Sequence, residues 1–301
     1  MTGLVAAGGS SYGTNTSLGG MSMSTGAGPG GGESRTVEVG GVRLHVEDHG
    51  SGPPVLLIHG WPDSGYLWRH QVPFLTGHGF RVIVPDLRGL GRSDRPAAVA
   101  DYALRNAVGD VAGILDTLGV AAAHVVGHDW GAAVAWFTAM FLPDRVTKLA
   151  ALSVGHPGAP RTIRQHEMAW YQLFFQFEGV AEATIAFDDW AWLREFSRGD
   201  GDLERYIEDL SRPGALTASL NWYRANVAPR MPGNPPGLPP VTAPTLGIWS
   251  TNDHYLDGER MERSGACVEG PWRHEVISGA SHWIPLDAPG RLNELLLDWL
   301  R

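Results

Sequence analysis

The segment that most restricts how this chain can fold is Ala123-His124-Val125-Val126-Gly127-His128-Asp129-Trp130-Gly131-Ala132-Ala133. Four residues of β-type pattern, Ala123 to Val126, run straight into a five-residue turn, and an apolar helical run follows from Ala132 to Leu142. A strand that enters a helix with so few residues between them must make a sharp turn. Glycines on both sides of the central residue give the crowded backbone room, and the central side chain is lifted clear of the sheet. That central residue is Asp129. A carboxylate attacking an acyl carbon would only make an anhydride. Attack on a saturated carbon bearing a leaving group makes an alkyl ester, which water can cleave. An acidic helix N-cap is the plain alternative for Asp129.

The rest of the chain supplies the sheet that such an elbow needs. Thr36–Val39 and Val42–Glu47 alternate around Gly40-Gly41 as a hairpin. Val55–Ile58, Phe80–Val84, Val146–Val154 and Leu246–Trp249 are apolar runs suited to strands buried on both faces, and His274–Ile277 reads as a further strand. Helical spacing marks 67–75, 104–118 and 289–300. Strands and helices alternating in this way imply an α/β fold with a mostly parallel, doubly wound sheet. Between His156 and Asn226 the pattern changes to aromatic-rich helical segments, namely 163–177, 180–187, 190–196, 203–210 and 215–226. The expected organisation is therefore a Gly/Ser-rich disordered tail over 1–34, a core over 35–155 and 240–301, and an inserted helical lid over 156–239.

Composition excludes several classes of function. The net charge is −9 and no Lys/Arg block occurs, which argues against nucleic acid and against an anionic membrane as partner. No apolar run reaches the length of a membrane span, and no basic segment followed by an apolar one marks a secretory signal; a cytoplasmic protein is expected. Cys267 is the single cysteine, so no intrachain disulfide can form. The histidines lack metal-ligand spacing, and neither metal nor cofactor is called for. Gly26-x-Gly28-x-x-Gly31 matches a dinucleotide fingerprint in letters only, since it follows no strand and opens no helix. The oligomeric state is left open, a homodimer included. The segment Arg88–Arg95 reads as a loop with internal ion pairs, and Asp188-Asp189 as a solvated face or helix cap.

In open parallel sheets, sites gather at the carboxyl ends of the strands. The loops there hold His59-Gly60-Trp61-Pro62, the elbow, Ser250-Thr251-Asn252-Asp253, and Gly279-Ala280-Ser281-His282-Trp283. Nucleophile, acid and histidine, in that order along the chain, is the triad order of α/β-hydrolases. Together with Asp86-Leu87-Arg88-Gly89-Leu90-Gly91, these motifs resemble the α/β-hydrolase superfamily. Within it, the chain resembles the soluble-type epoxide hydrolases over residues 33–301. Two lid motifs carry that narrower resemblance: Trp170-Tyr171-Gln172-Leu173-Phe174-Phe175-Gln176 and Leu220-Asn221-Trp222-Tyr223-Arg224.

The resemblance implies a role for each residue. Asp129 attacks an epoxide carbon, and His282 then activates water against the ester. Asp253 orients His282, with Asp257 the alternative acid four residues further on. The backbone N–H groups of Trp61 and Trp130 form the oxyanion hole, with Pro62 a candidate for a cis bond. Tyr171 and Tyr223 donate to the epoxide oxygen and, with Trp130, bind the substrate. Substrate preference is expected from lid side chains such as Met168, Phe175, Phe187, Trp190 and Trp222. Two alternatives remain: a haloalkane dehalogenase using the same Asp-His-Asp set, and a silent binding protein on this fold. Paired tyrosines favour the epoxide over the halide, and an intact Asp-His-Asp set speaks against a retired site.

Overall fold

The structure is a computed structural model that describes residues 25–27, 32–227 and 237–301. Among the described residues nine strands form one sheet: β1 (Thr25–Ala27), β2 (Glu33–Val39), β3 (Val42–His49), β4 (Pro54–Ile58), β5 (Arg81–Pro85), β6 (Ala123–His128), β7 (Val146–Leu152), β8 (Thr245–Ser250) and β9 (Trp272–Ile277). Across the sheet the order is β1-β2-β3-β5-β4-β6-β7-β8-β9. The first three strands are antiparallel, and from β5 to β9 all neighbours are parallel.

The hairpin closes where Val39 pairs with Val42. Gly40 and Gly41 take φ of +57° and +81°, the left-handed pair that a two-residue turn between twisted strands requires. The tail boundary lies earlier than expected. Pairing starts at Glu33, and Thr25–Ala27 adds an edge strand against it. An edge ladder is made by the backbone and needs no apolar side chain, so composition could not announce it. The expectation of disorder for residues 1–24 and 28–31 lies outside the described residues.

Val55, Leu56, Leu57 and Ile58 are all fully buried, as a strand covered on both faces demands. The chain steps outward from β4 to β5, then returns past β4 to β6. Right-handed crossovers in opposite directions put their helices on opposite faces. Accordingly, helix Leu104–Thr117 packs with Trp130–Phe141, while Gln71–Gly77 packs with the closing helix Pro289–Leu300. The same reversal opens a crevice between the carboxyl ends of β4 and β6, where ligands of open α/β sheets bind.

The insertion between β7 and β8 contributes helices Ile163–Met168, Trp170–Phe174, Val180–Ser197 (two helical stretches joined by a kink at Phe187–Trp190), Leu203–Leu210 and Ala215–Asn226. Three departures from the sequence reading stand out. The expected helix 163–177 breaks at Ala169. The expected helix 67–75 is a 3₁₀ turn (Gly65–Trp68) followed by an α-helix beginning at Gln71. The Arg88–Arg95 loop is not internally paired: Arg88 donates to Asp110 of the following helix at 2.7 and 2.6 Å, and Asp94 pairs with Arg43 of β3. A buried guanidinium needs a buried carboxylate, and Asp110 of the neighbouring helix supplies it. No described helix is long and apolar enough to cross a membrane.

Candidate active site

At the mouth of the β4/β6 crevice, Asp129 stands between strand and helix with φ +53° and ψ −120°, a strained conformation for a residue with a side chain. The glycines around it are fixed by contact. A Cβ on Gly131 would overlap the carbonyl oxygen of Ile58, and one on Gly127 would overlap the Gly131 backbone. The turn can therefore press against β4, which brings Asp129 under the loop that starts at His59. There the Trp61 N–H donates to Asp129 Oδ1 at 2.8 Å. Trp130 opens the helix, so its N–H has no intrahelical carbonyl to reach. The Trp61–Pro62 bond is cis. His59 ties this loop down as a peg: its Nδ1 faces the Gly60 carbonyl at 2.9 Å, and its Nε2 accepts from the Leu87 N–H at 3.0 Å. Burial lowers its pKa, which suits a neutral ring in that role.

The loops after β8 and β9 bring the other two groups to the same place. His282 Nδ1 donates to Asp253 Oδ2 at 2.8 Å, and its Nε2 faces Asp129 Oδ2 at 3.6 Å, an ion-pair distance rather than a hydrogen bond. The second oxygen of Asp253 accepts from the N–H groups of Tyr255 and Leu256 at 2.8 and 2.9 Å, so the acid is fixed at both ends. Asp257 lies elsewhere: it caps helix Gly258–Arg263 through the Glu259 N–H and takes the Thr162 hydroxyl. Burial opposes the charge on His282, but Asp253 and Asp129 together outweigh it and raise its pKa to about 10. Burial likewise opposes ionisation of Asp129, and the facing imidazolium holds its carboxyl below the ordinary range. At neutral pH the resting pair is carboxylate and imidazolium.

Both lid tyrosines turn inward. Tyr171 and Tyr223 are buried, with ring centroids 6.0 Å apart. Tyr223 meets Trp61 and Trp130 edge-on at 5.7 and 5.1 Å. Burial first, and the Asp129 charge second, push both phenols up and keep them protonated. With Trp61, Asp129, His282 and Trp283 they bound one small cavity.

A family model described as the α/β hydrolase fold matches residues 53–289. Epoxide hydrolase A of Mycobacterium tuberculosis is 33% identical over 88% of this chain and 96% of its own length. Epoxide hydrolase 3 of Siraitia grosvenorii is 42% identical over 89% and 98%. The crystal structure of Epoxide Hydrolase A from Mycobacterium thermoresistibile superposes with a TM-score of 0.76 at 32% identity, over 90% of this chain and 98% of that one. The chain belongs to the epoxide hydrolases of the α/β-hydrolase family.

Relative to that family assignment, four residues around the site escaped the sequence reading. His128 is buried and its Nε2 donates to the His282 carbonyl at 2.9 Å; burial lowers its pKa to about 4, so it holds the histidine loop as a neutral ring. Asp63 accepts from the Trp283 indole at 3.0 Å, which links the Trp61 loop to the residue after His282. Tyr255 and Phe196 also line the cavity. Several lid residues named for specificity lie outside it. Phe175 and Trp222 are fully buried in packing, and the Trp222 indole donates to the Arg88 carbonyl, while Phe187 is 74% exposed. Each sits in an aromatic-rich segment where sequence alone does not fix which side faces inward.

Proposed function

We propose that the protein hydrolyses an epoxide to a vicinal diol through a covalent ester on Asp129. The observation that carries this reading is the division of labour on one carboxylate. Oδ1 is held by the Trp61 N–H, while Oδ2 faces His282 in a cavity roofed by two protonated phenols. Oδ2 attacks a ring carbon, the C–O bond breaks, and the departing oxygen takes a proton from Tyr171 or Tyr223. An alkoxide is a poor leaving group, and an acid in place at that oxygen is what it needs. Esterification removes the charge of Asp129 and with it one of the two carboxylates that kept His282 cationic. The imidazolium then surrenders its proton to the phenolate and becomes a base. Neutral His282 takes a proton from water, the hydroxide adds to the ester carbonyl, and the N–H groups of Trp61 and Trp130 receive the oxyanion. Collapse expels the alcohol, which carries off the hydroxyl proton of the tetrahedral carbon. Asp129 returns as a carboxylate beside the imidazolium, ready for another turn.

The halide alternative is disfavoured by one contact. A departing halide is held by N–H donors, and the Trp61 indole N–H is already given to Ser219 Oγ at 3.1 Å. A halide also needs no proton, which leaves two buried phenols without work. The test is a panel of terminal, aryl and trans-disubstituted epoxides beside bromoalkanes. Diol from one or more of the epoxides, with no bromide release, is expected. Bromide release with every epoxide untouched would make the site a dehalogenase.

A further inference from the structure

The cavity at Asp129 has a volume of only about 10 Å³, room for a single water. No epoxide fits, so one wall must move. Alongside lies an outer pocket of about 260 Å³, with Met168, Trp170 and Trp192 as its apolar wall and Glu195, Arg198 and His254 also lining it. Phe196 and Tyr255 are the two residues that border both spaces. Tyr255 is fixed: it is buried, its hydroxyl donates to the Phe196 carbonyl at 2.7 Å, and its N–H is bound to Asp253. Phe196 is only half-buried. Its ring stacks on Trp192, with centroids 4.7 Å apart and planes 13° apart, and meets Tyr171 at 5.2 Å and Tyr255 at 4.9 Å. The helical stretch that bears it is bracketed by left-handed backbone: Asp188, Asp189 and Trp190 before it, with φ of +50°, +51° and +61°, and Arg198 after it, with φ +57°. Non-glycine residues in that region are strained, and such strain collects at clamps and switch regions. The wall that can move is therefore Phe196.

We propose that Phe196 is the specificity-determining gate between the reacting centre and an outer subsite that receives the apolar substituent of the epoxide. This rests on the reaction proposed above. The outer pocket falls just under the roughly 300–1,000 Å³ of drug-sized ligand sites. Its size and its aromatic wall suit one aryl ring or an alkyl chain of similar bulk, stacked on Trp192 in the place the gate vacates. The oxirane then lies inside, between Asp129 and the two tyrosines.

The experiment compares kcat/KM for propylene oxide, whose methyl cannot reach the outer pocket, with that for (2-phenylethyl)oxirane. Phe196→Ala joins the two spaces and should raise the phenyl-to-methyl ratio by about tenfold or more. Phe196→Trp enlarges the gate and should lower it. Phe174→Ala removes a ring that packs on Trp192 yet lines neither space, and should leave the ratio within about twofold. Where Phe196→Ala does not give folded protein, Phe196→Leu takes its place. A ratio unmoved in both directions overturns the gate, as does an equal shift in Phe174→Ala, which would mean a generally loosened lid. A wild type that hydrolyses both epoxides while the ratio stays fixed refutes the gate alone. One that hydrolyses no epoxide of the wider panel refutes the reaction as well.

Discussion

Replacing Asp253 by Asn keeps the shape of the side chain and changes one oxygen into a donor. Two orientations of the amide are open. In the first, the Asn oxygen keeps the N–H groups of Tyr255 and Leu256, now accepted at 2.8 and 2.9 Å. Its NH₂ then faces His282 Nδ1, where the present contact is 2.8 Å. Two donors cannot share that line, so Nδ1 must give up its hydrogen and Nε2 must carry it. A ring with hydrogen on Nε2 cannot take a proton from water. The flipped amide would set its NH₂ against two buried N–H groups, each left unpaired at about 1–3 kcal/mol, and is the worse choice. The same tautomer error in a serine-protease triad costs about 10⁴ in kcat, and a loss of that order is expected here. It should fall chiefly on ester hydrolysis, because that is the step in which the imidazole acts as a base, whereas during attack it stands only as the ion partner of Asp129. Intact-mass measurement after epoxide exposure should show close to one adduct per chain, mapped to the peptide containing Asp129. Asp257→Asn, which disturbs a helix cap, should turn over within a few-fold of wild type. Near-normal turnover in Asp253→Asn, or a stalled adduct in Asp257→Asn instead, would refute the assignment of the acid.

Tyr171→Phe and Tyr223→Phe should each weaken ring opening, and the double variant should lose roughly 10²–10⁴-fold in the alkylation rate, measured by single-turnover quench. Because both phenols serve one oxygen, the two effects should not add, and a double variant that opens epoxides at the wild-type rate would contradict the role. Asp63 gives a pH signature. Burial raises its pKa to about 7 in the folded state. Folding therefore favours its protonated form, and that stabilisation is complete below the ordinary carboxylate pKa near 3.9 and lost as pH rises through 7. Asp63→Asn can keep an acceptor for the Trp283 indole but cannot ionise. Its unfolding free energy relative to wild type, from denaturant melts, should climb between pH 4 and pH 7 and level off above, with a span of at most roughly 4 kcal/mol at 1.36 kcal/mol per unit. A pH-independent difference would mean that Asp63 ionises normally.

The sheet was legible because fully buried strands must be written as apolar runs. Val55–Ile58 and Val125–Val126 have no polar alternative on either face. The elbow was legible because steric overlap at Gly127 and Gly131 leaves no other residue. The strand-end loops then follow in chain order, which is why Asp129, Asp253 and His282 could be expected in one place before any geometry. The lid resisted for the opposite reason. Helices that carry aromatics on several sides give no stripe to orient, so Phe196 could not be told from Phe187, although one borders the reacting cavity and the other faces solvent. Pairings between distant elements, such as Arg88 with Asp110 and Asp63 with Trp283, are tertiary facts with no local signal. The break at Asp188–Trp190 was legible as the gap between segments 180–187 and 190–196, but its left-handed backbone was hidden, since no glycine marks it.

The central claim is that the oxygen added to the epoxide comes from Asp129, and that water replaces it on the enzyme. A single turnover of wild type in H₂¹⁸O, with enzyme in excess over an epoxide that the panel shows to be a substrate, reads this directly. The covalent route gives unlabelled diol and places ¹⁸O in the carboxylate of the Asp129 peptide. Diol labelled in the first turnover, with an unlabelled Asp129, would mean that water attacks the epoxide itself and that no ester forms.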